Sequence, residues 1–484
     1  MNTVFVYPLL LLSAAAILTM LLPRKIASHP LVPYIGLVAV ILSLVSLIAN
    51  SRHLEIGGLL FQGTLYGDSL THLSWILLLL LYAIQMVAFF KRVPREGITR
   101  IAEYHSLTLF SLIGALTVVS AAEFLTLFIG IELLSLPVYV LCASALWAKT
   151  PELKRGAESA LKYLLLGAFG SALLLFGIAL LFGVSGSTSY DQVASVLMHT
   201  RGAIVGLGLG LVLMAALFKV GAAPFHFWVP DVYQGAPTSV TSYMGSVVKA
   251  TGVLLLLRLI VELFAPFIAF WSGAMWTAAL LSVIVGNLLA SRQRSVKRLL
   301  AYSSVAQVGY ILCGMLSIDN TNHGGAAILY YVMVYALTTV GIMSIVHDVS
   351  GDSVTGLHPD DIAKFNGLAS SNPAKAFLAT MLLLTLAGLP PALGGFFGKA
   401  FLFSSAIAGG YIGLVALALC SAVIGVFYYL RIVVAMYFVR QDVEEKLHPR
   451  SDLVTALCVA LVLIMGIFPS TFIESFAAIL ASMS

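Results

Sequence analysis

Charge is what this sequence has least of. Of its 484 residues, 10% are charged and 60% hydrophobic, and the mean hydropathy is +1.02. A soluble domain runs near a quarter charged, so there is too little charge here to coat one globule of this length. Soluble, disordered and collagen-like classes are excluded, which leaves an integral membrane protein. Cysteine is scarce too. Cys142, Cys313, Cys420 and Cys458 stand far apart inside apolar runs, a spacing that fits no zinc site, iron–sulfur cluster or disulfide framework. There is no Walker A sequence and no axial-histidine pattern for haem. The run Gly206-Leu-Gly208-Leu-Gly210 lies in an apolar segment with no strand before it, and close helix packing explains it better than a dinucleotide fingerprint. A signal peptide is not expected, because Arg24 and Lys25 follow the first apolar run where a basic n-region would precede it. The balance of 26 Lys+Arg against 21 Asp+Glu lacks the aromatic interleaving of a nucleic-acid stripe.

What is present is hydrocarbon in lengths that match a bilayer. A core of about 30 Å takes roughly 20 apolar residues per helix. Such runs predict an all-α polytopic membrane protein of about 14 transmembrane helices, near 4–22, 31–50, 72–90, 105–122, 123–147, 157–183, 202–236, 238–262, 267–289, 295–316, 323–347, 373–408, 411–438 and 452–476. Loops after odd-numbered spans then hold eighteen lysines and arginines, and loops after even-numbered spans hold only Arg52 and Arg201. The positive-inside bias puts the odd loops in the cytoplasm and both termini outside.

Two of the spans are too long and are broken. One reads Lys219-Val-Gly-Ala-Ala-Pro224-Phe-His226-Phe-Trp-Val-Pro230, the other Gly388-Leu-Pro390-Pro391-Ala-Leu-Gly394-Gly395-Phe-Phe-Gly398-Lys399. Proline removes a helix donor and glycine lets the chain unwind. In lipid, freed carbonyls are tolerated only beside protein or a water-filled cavity. The broken spans are the seventh and twelfth, five apart, which predicts two inverted five-helix repeats, helices 4–8 and 9–13. The expected units are 1–104, a three-helix segment; 105–262, the first repeat; 263–438, the second; and 439–484, a last helix.

Six cations remain inside spans: Lys162, Lys219, Lys249, Arg258, Lys399 and Arg431, with Glu132 the one carboxylate well inside. A charge at the bilayer centre costs about 2.5–3.5 kcal/mol even on the mildest scale, so these residues are functional or paired. Lys249 lies near the midplane, out of snorkelling reach. Lys219 and Lys399 flank the two breaks. Lys162, Arg258 and Arg431 stand nearer span ends, where snorkelling or lipid anchoring competes for the two arginines especially. A buried lysine, unlike arginine, can release its proton near neutral pH, so lysines spaced through a bundle suit a proton relay. A Glu132–Lys219 pair would hold its proton until separated. No His/Asp/Glu cluster suggests a metal. His226 reads equally as a relay or as a hydrogen-bond partner for unwound backbone.

Gly130-Ile-Glu132-Leu-Leu-Ser-Leu-Pro137, the run from Leu217 through Lys219, Pro224, His226 and Asp231 to Pro237, Arg294 to Tyr310, and Gly388 to Lys399 together resemble the antiporter-like subunits of respiratory complex I, the NADH:quinone oxidoreductase, and most closely subunit N. The likeness covers nearly the whole chain. It implies that Glu132, Lys219, Lys249, Lys399 and Lys162 match the family's proton-carrying positions, and that the chain is a non-redox subunit of a translocase. It further implies no cofactor in this chain, with flavin, iron–sulfur clusters and quinone in or between other subunits, and other membrane subunits, including antiporter-like paralogues, as partners. In one place the chain departs: many relatives have histidine where this one has Gln307, which can order water but carries no charge. Ser303, Ser304 and Tyr310 are expected to support a water wire beside it. A subunit of a multi-subunit sodium/proton antiporter is the alternative, and a structural membrane spacer a third reading.

Overall fold

The structure is a computed structural model that describes residues 5–27, 29–49, 58–144, 153–200, 202–318, 322–350, 360–440 and 453–481. The cations Arg52, Lys149, Arg201, Lys446 and Arg450, used above to orient the chain, lie outside them.

Each expected span has a helical counterpart. Among the described residues, nine helices are long and apolar enough to cross a membrane, or ten if a bent pair counts as one span. The count of fourteen is therefore not reproduced by that measure. Val6–Met20, Pro373–Ala387 and Leu393–Ala408 are apolar but shorter, and Val296–Met315 carries Lys297 and Arg298 in its first turn. The spans expected at 238–262 and 267–289 run together as one helical stretch, Thr238–Ser291, of 54 residues. Straight, that would be about 80 Å, more than two hydrocarbon thicknesses. π-turns at Met244–Val248 and Ile260–Phe264 interrupt its α geometry, and Phe267, at φ −115° and ψ 28°, leaves helical values. The last span, expected as one helix over 452–476, is two, Leu453–Ile467 and Pro469–Ala481, meeting at 83°.

Burial sorts the helices into an axis and a rim. The span 324–349 has 94% of its apolar window buried against protein, whereas the windows of 156–185 and 412–438 are 33% and 39% buried. A helix apolar all round but enclosed by protein is a core helix, and the exposed faces of the other two, with Leu165, Phe169, Val423 and Phe427, are what hydrocarbon would cover. The glycine run is packing, as expected: a Cβ on Gly208 would stand 2.8 Å from a Leu181 methyl.

Two ion-pair belts, missed in the sequence, tie the helices together. Arg92 and Lys375 both bind Asp348, at 2.7 and 3.0 Å. Lys375 is 1% exposed and is no loop cation. Arg258, read as a snorkelling residue, is fully buried. It grips both oxygens of Asp68, donates to Thr71 Oγ1 at 2.8 Å and lies 3.2 Å from Glu262. Burial alone would raise the Asp68 carboxyl, but the Arg258 hydrogen bonds and charge outweigh it and hold it below its ordinary range. Arg431 donates to the carbonyls of Ser291, at 3.0 Å, and Gln293, closing the C-terminal end of helix Ile268–Ser291, where a cation opposes the exposed carbonyls.

Candidate functional site

Both breaks are built alike in the backbone. Helix Ala203–Val220 ends on Gly221 at φ +74°, and helix Pro373–Ala387 on Gly388 at φ +79°, left-handed values at which glycine alone is unstrained. Pro224 follows Ala223, and Pro391 follows Pro390, through cis peptide bonds. At the first break the freed groups find fixed partners. The Trp228 indole donates to Phe218 O at 3.1 Å, Ala222 N to Leu217 O at 3.0 Å, and Ala223 N to Ser282 Oγ at 2.8 Å. His226 is buried there against Phe227, with ring centroids 4.9 Å apart.

Lys219, in the last turn before this break, is buried and donates to Ser135 Oγ. The direct Glu132–Lys219 pair expected from the sequence is not formed. Glu132 stands one turn before Ser135 on helix Phe124–Cys142 and accepts instead from Ser171 Oγ at 2.5 Å. Ser135 simply lies closer to the lysine. A small cavity between these helices, lined by Ile131, Ser171 and Lys219 among others, has room for about one water.

Lys249 begins the α-helical segment after the π-turn Met244–Val248 and is 3% exposed. Its ammonium donates to Ser304 Oγ at 2.7 Å and lies 5.8 Å from the Tyr233 ring centroid. It also lies 4.0 Å from where a Gly221 Cβ would stand, so the first break and the midplane lysine face each other.

Lys399 comes after the second break and turns back on it. Its ammonium donates to Leu386 O at 2.8 Å and Ala387 O at 3.0 Å, and sits 5.0 Å from the Tyr310 ring centroid. Gln307 reaches the same Leu386 carbonyl at 3.1 Å and Tyr429 OH at 3.2 Å, and accepts from Tyr331 OH. Ser303 shares a hydrogen bond with Tyr429, and Tyr310 OH accepts from Asn287 at 2.9 Å. Helix Val296–Met315 thus carries Ser304 towards Lys249 and Ser303, Gln307 and Tyr310 towards Lys399.

One expected member stands apart. Lys162 is 43% exposed at its side chain and pairs with Glu158 at 2.7 Å and Asp231 at 2.9 Å. Asp231 also binds Arg298 at 2.7 Å. Asp231 was quoted in a motif but not as a partner, since its ions come from 69 and 67 residues away, a separation that periodicity does not report. Among the described residues no group of three or more His, Cys, Asp and Glu could hold a metal.

Broken helices that turn buried lysines towards serines and bare carbonyls define a membrane protein of the ion-translocating class. The family model described as NADH:quinone oxidoreductase/Mrp antiporter, transmembrane, matches residues 121–425, and the chain belongs to that family. The NADH-quinone oxidoreductase subunit N of Thioalkalivibrio sulfidiphilus is 36% identical over 415 residues, 84% of each chain. A chain in the structure of respiratory complex I from Thermus thermophilus with bound Aureothin superposes with a TM-score of 0.79 at 29% identity, covering 97% of this chain and 99% of that one. A chain of the Mrp complex from a Dietzia species shares the fold, with a TM-score of 0.81 at 17% identity, over 100% of this chain and 98% of that one.

Proposed function

We propose that this chain is a proton-translocating membrane subunit of an NADH:quinone oxidoreductase. Its row is Lys219, Lys249 and Lys399, and electron transfer occurs in other subunits, which hold the flavin, iron–sulfur clusters and quinone. The observation that carries the reading is that these three lysines are buried and none forms an ion pair with a carboxylate. Each rests on a serine hydroxyl or on helix-end carbonyls. A lysine so placed holds its proton by hydrogen bonds that either protonation state can make, so a small change in field decides whether it keeps it.

The end that gathers Arg92, Lys162, Lys297, Arg298, Lys364 and Lys375 is taken as cytoplasmic, by the same bias that orders the loops. Protons pass from that side to Lys219 and Lys249, then to Lys399, and leave on the other. A redox-driven disturbance reaches the row first at Glu132, which accepts from Ser171 and is thus left without a bond to Lys219 that would have to be broken. The test is Lys219→Ala in the assembled complex: protons moved per electron should fall, and an unchanged ratio would overturn the reading. The sodium/proton antiporter alternative uses the same row, and transport that depends on sodium in vesicles would favour it.

A further inference from the structure

Polar groups that the lysine row does not use are concentrated beside the Ser69–Phe89 and Ile101–Ser120 helices. Glu96 follows the first of them, and both its oxygens are engaged by Ser239, from the backbone N at 2.9 Å and from Oγ. His347 Nε2 is 3.8 Å from the same carboxylate and its Nδ1 is 3.4 Å from Asp348, the partner of Arg92 and Lys375. The Glu96 and His347 side chains are each 10% exposed, so this pair touches the outside. From Ser239 a stripe runs inward along the helix that carries Lys249. Ser239, Ser242 and Ser246 are spaced by three and four residues, on one face. Gln85 bridges the first two, donating to Ser239 O at 3.0 Å and accepting from Ser242 Oγ at 2.7 Å. Ser246 Oγ donates to Ser242 O at 2.7 Å, and Lys249 comes three residues later. The whole stripe, 239 to 249, rises about 15 Å.

Beside Gln85 lies a small cavity whose wall joins Tyr82, Gln85, Tyr104, His105, Thr108 and Tyr243 to the apolar Met86, Phe89 and Val93. Hydroxyls and amides in a hydrocarbon-facing bundle are costly unless satisfied, yet His105, 3% exposed, has no partner for Nε2 among the described residues. The cavity has room for about one water, and the unpartnered His105 nitrogen supplies a polar contact for it. On its far side Tyr243 OH donates to Ser111 Oγ at 2.9 Å, and Ser111 to Leu134 O at 2.8 Å. The next residue, Ser135, is the acceptor of Lys219.

We propose that Glu96 and His347 form a proton-uptake port, and that the Gln85–His105 cavity carries protons from it to Lys249 and Lys219. The proposal rests on the reading above, that the lysine row translocates protons. A proton taken from bulk water protonates the Glu96 carboxylate. It passes to the Ser239 hydroxyl, which takes it on a lone pair and gives its own to cavity water, and Glu96 is left as the carboxylate again. One proton moves and no electron does. Gln85 carries none; it ties the Ser239 carbonyl and the Ser242 hydroxyl to the wall of the cavity that it lines.

The plainer role for Glu96 is to cap the helix that starts at Thr238, since it accepts from Ser239 N. Glu96→Gln separates the two roles, because glutamine keeps an oxygen for that N–H but cannot take up a proton. The measurement is proton translocation per electron in inverted vesicles carrying the assembled complex, with Lys219→Ala alongside. Glu96→Gln should fall to the Lys219→Ala level and Glu96→Asp should regain translocation. Unmodified pumping in Glu96→Gln, with Lys219→Ala impaired, overturns the port and leaves the row standing. Unmodified pumping in both overturns the row and the port with it. If Glu96→Gln does not assemble, His105→Phe, which fills the cavity with an apolar ring, decides: loss of pumping is expected, and full pumping overturns the proposal.

Discussion

The two breaks share a backbone and differ in who satisfies it. At the first, the Trp228 indole and the Ser282 hydroxyl take freed groups, so Lys219 is left to engage Ser135 beside the Glu132 carboxylate. At the second, Lys399 itself covers the carbonyls of Leu386 and Ala387, helped by Gln307. One lysine is held by a side chain that can turn away from it, the other by the negative end of a half-helix, which cannot. The same motif thus yields a mobile donor on one side and an anchored one on the other. That suits a site that must respond to a field and a site that must hold a proton until it is released.

The largest effect that would break this comparison is expected at Lys399. Lys399→Met keeps the chain length but removes the donor to Ala387 O and one of two donors to Leu386 O. A buried carbonyl left without a partner costs about 1–3 kcal/mol, and lipid supplies no substitute. Lys219→Met removes only one of the hydrogen bonds at Ser135, which keeps its own bond to Ile131 O. The amount of assembled complex on a native gel should therefore fall further for Lys399→Met than for Lys219→Met. Equal amounts would mean that the second lysine is no more anchored than the first.

A smaller effect is expected at Trp228. Trp228→Phe keeps the ring against Tyr163, now at 4.7 Å between centroids, but takes one of two donors from Phe218 O, which keeps the Gly221 N–H at 3.0 Å, at a cost of about 1 kcal/mol. The nearest flexible donor is Lys219, one residue on. If it turns to that carbonyl, the first break becomes a copy of the second, and pumping per electron drops while thermal stability changes little. A density map of the variant would show the ammonium moved from Ser135 to the helix end. Unchanged pumping with a lysine still on Ser135 would show that the indole is not what keeps Lys219 free.

How far the sequence led depends on the distance of each partner along the chain. Apolar runs placed helix in each expected span, and the Gly/Pro clusters placed both breaks, because those signals are local. The three row lysines were legible too, since a charge in a hydrocarbon run needs no neighbour to be noticed. Their partners were not. Ser135 is 84 residues from Lys219 and Asp68 is 190 from Arg258, and nothing in periodicity selects serine over the glutamate one turn away. For Lys162 the place near a span end and Glu158, four residues before it, were within reach of the sequence, but Asp231, 69 residues on, was not. The bend between Leu453–Ile467 and Pro469–Ala481 was missed because Phe468-Pro469 was read as the tail of a span and not as its end.

The smallest expected effect sharpens the comparison from within the first half. Ser135→Ala removes the acceptor that Lys219 uses, a hydrogen bond of about 1 kcal/mol. Glu132, one turn away on the same helix, stands ready to replace it. The lysine would leave the alanine and pair with the carboxylate, competing with Ser171 for it, and pumping per electron should drop only about two- to fivefold, the factor that such an energy represents. Adding Glu132→Gln to Ser135→Ala removes the substitute as well, and the double variant should lose more than the product of the two single losses. Multiplicative losses would mean that serine and glutamate act on Lys219 independently. The first half would then lack the exchangeable partners that distinguish it from the second.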